Sequence, residues 1–498
     1  MRGFNTLGSL AGGWLARGWL AGVLALGSAQ VAAAETLQDA LALAYESNPT
    51  LQQQRAQLRV LDETYVQALS GYRPTLGVSA TAYYDRYAPS AGPSLTSRTA
   101  QATLSATQPL YTGGRVSAAV RAAEAEVLAG RETLRSQEAT VLQQVIGAYV
   151  DVRRDTEIVE IRRANVEVIK AQLDETSARF KVGQLTRTDV ATVSAQHAQA
   201  RAALAAALGQ LKSSRAAYLA VIGRAPGTLA PESPLPGAPR TLDEAFDTAE
   251  VRNPLLLSAS LKEQSDLARV AQARAARMPT VSASASFSQG AALGAYPDNN
   301  SQSTLVAGVT VSQPLFSGGL VSSQIRAALE QDNADRQALE QARRATIQSV
   351  SVAWNQILAA RSGLSASLEQ KDAAALAFEG VTQEFRAGLR TVFEFVQAEQ
   401  GVRDADLSVA NARHDAYVAD AALLAAVGRL DVASLGLDAR PYDPARNLDR
   451  VHSGPGAVID PVAAALDGVN PNGTPRRLDP HRGTALGPLK AAADTTQQ

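Results

Sequence analysis

The sequence predicts an α+β fold of two equivalent halves, each joining a strand hairpin to a very long helical hairpin. Three observations carry this prediction. First, landmarks recur in register: Asn48-Pro49, Arg73-Pro74-Thr75 and Gln108-Pro109-Leu110-Tyr111-Thr112-Gly113-Gly114 return as Asn253-Pro254, Met278-Pro279-Thr280 and Gln313-Pro314-Leu315-Phe316-Ser317-Gly318-Gly319. The displacement is always 205 positions, from Pro49 to Pro254 and from Gly183 to Gly388. Second, hydropathy alternates with a period of two ahead of each Gly-Gly pair. Third, the stretches that follow lack proline from Tyr111 to Ala225 and from Leu315 to Ala439. A repeat this long is one supersecondary unit duplicated rather than a solenoid of short ones.

Each copy opens with a short helix. Thr36 with Asp39, and Thr241 with Glu244, place a hydroxyl cap three residues ahead of an acidic side chain, with Leu37, Ala40, Leu41 and Tyr45 following at helical spacing. Asn48-Pro49 and Asn253-Pro254 restart a helix, Asn as cap and Pro in the first turn, where no amide partner is lost. Pro74 and Pro279 end these helices, and the alternation begins. Leu76, Val78, Ala80, Ala82 and Tyr84 alternate with Gly77, Ser79, Thr81, Tyr83 and Asp85, and Ala100 to Thr107 continue the pattern. In the second copy Val281, Ala283, Ala285 and Phe287 form one face, and Leu305, Ala307, Val309 and Val311 the matching face of the next strand. Residues 90–97 and 290–301, rich in Ser, Gly, Pro and Asn, read as hairpin loops.

These four strands are long enough to cross a membrane when tilted, and their polar face is small Ser, Thr and Gly. Tyr111 and Phe316, at the expected strand ends, suit an interfacial aromatic belt. Four strands cannot close a barrel, since the smallest outer-membrane barrels have about eight, and an open edge cannot face lipid. Several copies must therefore pool their strands. A half-solvated soluble sheet gives the same alternation and remains the competing reading of the strands alone.

The proline-free stretches are dense in Ala, Gln, Arg, Glu and Leu. A helix from Arg115 to Lys181 would run roughly 100 Å at 1.5 Å per residue. It turns at Gly183 and returns from about Asp189 to Ile222; the second copy turns at Gly388. Val141, Val145, Ala148 and Val152 lie on one line, widened by Leu142, Ile146 and Tyr149. Such a broad face lets a helix touch neighbours on two sides, as in the wall of a helical cylinder, although an antiparallel coiled coil has the same period.

Composition narrows the function classes. The formal net charge is −1 and no Lys/Arg block occurs, which disfavours nucleic acid. There is no cysteine, hence no disulfide, thiolate metal site or lipidated N-terminus. Residues 1–34 carry a basic start, the apolar run from Trp19 to Leu26 and Ala32-Ala33-Ala34, the pattern of a secretory signal peptide cleaved after Ala34. No later apolar run is long enough for a transmembrane helix, so a membrane crossing would be made by strands. No phosphate-cradling loop, nucleophile elbow or metal-ligand cluster is present, and no cofactor or enzymatic activity is expected. His197, His414, His452 and His481 are scattered and expected on the surface. The expected division is a signal peptide (1–34), a first repeat (35–225), a linker (226–240), a second repeat (241–430) and a loosely ordered Pro/Gly-rich tail (431–498).

The informative polar residues gather at the two hairpin turns, where Asp189 and Glu394 are repeat equivalents. Acidic residues in a first helical turn also serve simply as caps. The duplicated pattern, the strand-ending Gln-Pro-Leu-Tyr-Thr-Gly-Gly, and the Val-Gly and Ala-Gly turns resemble the TolC family of outer-membrane channel proteins over residues 35–430. The resemblance implies a homotrimer whose strands form one barrel in outer-membrane lipid, continued by a periplasmic α-helical barrel. It implies docking of the tips, at Val182, Gly183, Ala387 and Gly388, on a periplasmic adaptor (membrane fusion) protein and an inner-membrane transporter. It also implies gate positions. Thr188 and Asp189 match the family's Thr-Asp, Arg390 the gate arginine and Glu394 the first of two ring-forming acids. Phe385 stands where the family often has a tyrosine, and Gln397 where it has a second aspartate. The gate is thus expected to be held by Arg390 paired with Asp189 or another tip acid, with fewer polar links than usual.

The expected function is the exit duct of a tripartite export system. The missing lipid-anchor cysteine and Tyr442-Asp443-Pro444 after the second copy favour type I secretion over multidrug or metal efflux. The alternative from a different class is a periplasmic coiled-coil structural protein without a pore.

Overall fold

The computed structural model describes residues 34–293, 301–453 and 457–467, with Leu478 and Leu489 besides. The expected signal peptide, the tip of the second strand loop and much of the C-terminal segment, His481 included, lie outside the described residues. The first half comprises α1 (Leu37–Ser47), α2 (Pro49–Ser70), β1 (Thr75–Tyr87), β2 (Leu95–Tyr111), α3 (Arg115–Lys181) and α4 (Arg187–Ile222). The second repeats the order with α5 (Leu242–Arg252), α6 (Pro254–Ala275), β3 (Thr280–Ala292), β4 (Gln302–Ser312), α7 (Leu320–Arg386) and α8 (Val392–Ala426). Two short helices, α9 (Arg446–His452) and α10 (Asp460–Asp467), follow. Both long helices, α3 and α7, have 67 residues, so the repeat is preserved to the residue in its longest element.

The caps read from sequence are made. The Thr36 hydroxyl accepts from the Asp39 amide while the Asp39 carboxylate accepts from the Thr36 amide, a reciprocal box. Asn48 and Asn253 cap α2 and α6 with their carbonyl oxygens. Their amide groups donate to Val221 and Ala426 at 2.9 and 2.8 Å, so each cap also ties the start of one helix to the end of another 173 residues away. At the strand-to-helix joints, Gly113 and Gly114 take φ of 69° and 81°, where a β-carbon on Gly113 would meet the Met278 side chain at 2.5 Å.

The strands form one antiparallel sheet in the order β1-β2-β3-β4, so the central β2–β3 pairing fuses the two repeats. The register stacks Val78, Leu104, Phe287 and Leu305 in one row across all four strands. The adjacent row is Ser79, Thr103, Ser288 and Thr304, on the opposite face. Among the described residues no second layer covers the apolar face, and Val78 is 80 % exposed. β1 ends at Tyr87 and β2 begins at Leu95, so the first loop is residues 88–94 rather than the expected 90–97. The expectation that Phe316 ends a strand is corrected: β4 stops at Ser312, and Phe316 lies beyond it. Its counterpart Tyr111 ends β2, held by pairing with Val281 of β3, whereas β4 is an edge strand.

Below the sheet, α3 with α4 and α7 with α8 form two helical hairpins. No helix among the described residues is long and apolar enough to cross a membrane. The larger core joins Tyr45, Leu142, Ile146, Tyr149 and Tyr218 of the first half, and a second centres on Phe246, Val350, Ile357 and Leu423. The expectation of a loosely ordered tail after Leu430 is corrected for the described residues. Val432, Leu435 and Leu437 enter the first core, and Leu489 enters the second. Arg73 makes a two-pronged pair with Asp460 at 3.0 and 2.8 Å. The buried Asp467 carboxylate accepts from the amides of Thr112, Gly114 and Ser117 and from the Thr112 hydroxyl, at 2.7 to 3.2 Å. It fills the backbone nest at the start of α3. The expectation of four surface histidines is corrected for His414, which is half-buried and lies 3.0 Å from Asp151 of α3. That contact and Asp415 raise its pKa from the ordinary imidazole value, against burial.

Candidate functional site at the helical tips

Both hairpins turn by the same local device. Gly183 and Gly388 adopt φ of 78° and 77°, conformations a β-carbon resists, and each lets the chain reverse after a 67-residue helix. The next helix starts on a threonine cap. Thr186 caps α4 in a reciprocal box with Asp189, at 3.3 Å from the Asp189 amide and 2.9 Å from the Thr186 amide to the carboxylate. Thr391 caps α8 with Glu394 in the same way, at 3.2 and 2.8 Å. The cap of the first tip is thus Thr186. Thr188 is exposed within the first turn, its carbonyl accepting from the Thr192 hydroxyl at 3.0 Å.

Asp189 and Glu394 share this capping role, but only Glu394 has a cation beside it. Arg390 donates from Nη1 to Glu394 Oε1 at 2.8 Å and from Nε to Glu384 Oε2 at 2.6 Å. Arg390 therefore clamps its own turn, joining the last turn of α7 to the first of α8. Its pKa is raised by Glu394 and then Glu384. The Glu394 carboxyl is pushed down to about 2, first by the Thr391 amide, then by Arg390 and the Thr391 hydroxyl. Asp189 is lowered by the Thr186 hydroxyl and amide. Its carboxylate is committed to that cap, and within one chain it is not the partner of Arg390.

The two tips meet through apolar contacts. Ile169, Val193, Val392 and Val396 form a small buried cluster with Leu185, Phe385 and Phe395 against it. Phe385 lies 5.1 Å from Phe395, and the Arg179 guanidinium of α3 sits 5.6 Å above the Phe385 ring. A cation over an aromatic face thereby links the two hairpins. Asp189, Thr192 and Gln196 of α4 face Val392, Phe393 and Val396 of α8 across a cleft of about 220 Å³. Gln397 is exposed on α8, and Val182, Leu389 and Phe393 present apolar side chains outward. No group of acidic or histidine side chains able to hold a metal occurs among the described residues.

Comparison with known proteins decides the family. The family model described as "Outer membrane efflux protein" matches residues 40–224 and 245–429, one match for each repeat. The chain belongs to the outer membrane efflux protein family. As a member, it is an outer-membrane channel protein of the TolC type rather than an enzyme. The outer membrane efflux protein BepC of Brucella suis is 34 % identical over 425 residues, 85 % of this chain and 91 % of that protein. The alkaline protease secretion protein AprF of Pseudomonas aeruginosa is 29 % identical, over 70 % of this chain and 74 % of its own length. Among solved structures, a membrane protein from Pseudomonas aeruginosa superposes with a TM-score of 0.71 at 20 % identity, covering 79 % of this chain and 93 % of that one.

For this efflux protein, the structure brings Phe385, Arg390 and Glu394 together at one tip and leaves Thr188 and Asp189 on the other. It adds residues that sequence reasoning did not single out. Thr186 and Thr391 were signalled by the Thr-x-x-acid spacing. Glu384 and Arg179 carried no such signal, because their contacts depend on how the turn folds back and how the hairpins pack.

Proposed function

We propose that this protein is the trimeric exit duct of a tripartite export system, carrying substrate from an inner-membrane transporter and a periplasmic adaptor to the exterior. The observation that carries this reading is the single four-stranded sheet, apolar on one uncovered face and unpaired at both edges, continued by two equal helical hairpins. Closing such a sheet removes its open edges, and three copies supply enough strands for a barrel. In that arrangement Arg390, Glu394 and Asp189 stand in rings at the periplasmic end, where the Arg390 clamp holds the tube narrow and Glu394 sets cation preference. The exposed Val182, Leu389 and Phe393, with Gly183, Ala387 and Gly388, offer the adaptor a contact surface. Phe385 and Gln397 leave the closed state with fewer polar links.

Protein cargo by type I secretion is favoured by the absence of a lipid-anchoring cysteine and by the similarity to AprF, an alkaline protease secretion protein. Small-molecule efflux is the second reading, favoured by the similarity to BepC, an outer membrane efflux protein. Protein purified from membrane fractions and added to a planar bilayer tests the duct: discrete cation-preferring conductance steps are expected, and a non-conducting soluble monomer would overturn it. Deleting the gene and assaying secreted protease and drug sensitivity separately distinguishes the two cargo classes.

A further inference from the structure

The two halves differ where the middle of α6 meets the first part of α7. In the first half the corresponding positions of α2 and α3 are apolar. Leu58 and Leu61 close over Gly130, where a β-carbon would meet Leu61 at 2.5 Å, and Val127 is buried beside them. The positions 205 further on are Glu263, Asp266, Asp335 and Asp332. Four apolar positions have become four buried carboxyl groups, with Asp266 2 % and Asp335 7 % exposed.

The nearby cations do not satisfy all of them. Arg269 pairs with Asp266 at 3.0 Å and with Glu126 of α3. Arg336 reaches Asp332 at 2.8 Å and Glu263 at 3.7 Å, and Lys262 acts on Asp335 through its charge. Asp266 Oδ2 and Asp335 Oδ2 are buried with no hydrogen-bond partner, and the two residues stand on facing helices at the positions where Leu61 and Gly130 touch in the first half. An ionised carboxylate only accepts, so two that meet can bond only if one of them holds a proton. Two bare charges side by side, with no donor between them, repel at short range.

We propose that Asp266 and Asp335 share one proton, and that loss of this proton loosens the α6–α7 seam. The pair is then a proton-operated clasp between α6, which leads into β3, and α7 of the second helical hairpin. The first half, with Leu61 and Gly130 in these places, carries no counterpart. Burial first, then contact with Asp266, push the Asp335 carboxyl up to about 6, with Lys262 and Arg269 opposing. A carboxyl raised above its unfolded value of 3.8 stabilises the fold fully below that value, and the contribution is lost as pH rises through about 6. Asp335 also lines a solvent-open cleft of about 380 Å³ between α3, α6 and α7, which gives the proton a way in and out. The clasp goes beyond the export reading and does not depend on it.

The test uses full-length protein in detergent at pH values from 5 to 7.5. Infrared difference spectra of the wild type are expected to show a protonated carboxyl band that disappears with a midpoint near 6. Hydrogen exchange in α6 and the first half of α7, normalised to α2 and the matching part of α3, should rise about tenfold or more over the same window. Asp335→Asn supplies a permanent donor, so it should lack the band and keep the seam protected throughout. Asp266→Leu, which restores the residue of the first half, should lose both band and step. The absence of a titrating band in the wild type, its survival in both variants, or a band that titrates without any change in exchange would overturn the proposal. If neither variant folds, the wild-type band and exchange decide alone.

Discussion

At Arg390 one guanidinium holds two carboxylates on opposite sides of a glycine turn, and one of them, Glu394, is at the same time the cap of α8. The capping role was legible, because Thr391 and Glu394 stand three apart ahead of a helical run. The clamp was legible only as a charge at a turn, since Glu384 lies six residues before Arg390 and the φ of Gly388 decides whether the two meet. Glu384 is exposed and Glu394 partly so, so Arg390→Ala should leave the unfolding temperature nearly unchanged. Single-channel recordings should instead show a larger conductance, and an unchanged conductance would remove Arg390 from the gate. Because the Glu394 carboxyl is held down to about 2, its charge is present above its ordinary range near 4.5 and is lost only as pH falls towards 2. Cation selectivity of the wild type should therefore stay constant from about pH 8 to pH 4. Glu394→Gln should reduce that selectivity across the whole range, and a selectivity that already falls by pH 5 would place the controlling charge elsewhere.

The elements themselves were readable wherever local chemistry decides them. The Gly113-Gly114 pair, the Val182-Gly183 turn and the proline-free run between them defined α3 to the residue, because a helix of that composition has nothing within it to stop it. Strand ends were readable only where a neighbour lies within the same chain. Tyr111 has Val281 opposite, whereas the equivalent Gln313 to Phe316 have no strand beside them, and Leu315 and Phe316 are 92 % and 90 % exposed. The C-terminal segment was misjudged because proline and glycine report on local stiffness and not on docking. Asp467 finds its partners 350 to 355 residues earlier in the chain. Replacing it with alanine would strand the amides of Thr112, Gly114 and Ser117 in a buried nest. Asp467→Ala should cost about 2 to 4 kcal/mol and lower the temperature of heat-induced mobility shift. Asp467→Asn keeps an accepting oxygen and should lose less. Equal stability of all three proteins would show that the strap does not hold the joint.

For the whole molecule, the repeat supplies the contact that a single chain cannot show. β2 and β3 pair across the boundary between halves, with Thr107 opposite Ser284. Moving each partner by the 205-residue repeat sets Ser312 of β4 opposite Ser79 of β1, and those two strands are the free edges of the same sheet. They cannot meet within one chain, but they meet if copies assemble side by side around a ring. The same operation places Phe316 opposite Leu76, as Tyr111 stands opposite Val281, which would cover the exposed end of β4. Directly opposed residues on antiparallel strands have α-carbons about 4.5 to 5.5 Å apart, within the span of a disulfide. The chain has no cysteine of its own, so the pair Ser79→Cys with Ser312→Cys is free of background. Oxidised in membranes and run without reductant, this double variant should yield covalent trimers. Ser79→Cys with Thr310→Cys, displaced by two residues to roughly 7 Å or more, should remain mostly monomeric. Equal cross-linking of both pairs would indicate an edge contact without register. No cross-linking in either would mean that the edges are not joined to one another, and the ring that makes this chain a duct would have to be closed in another way.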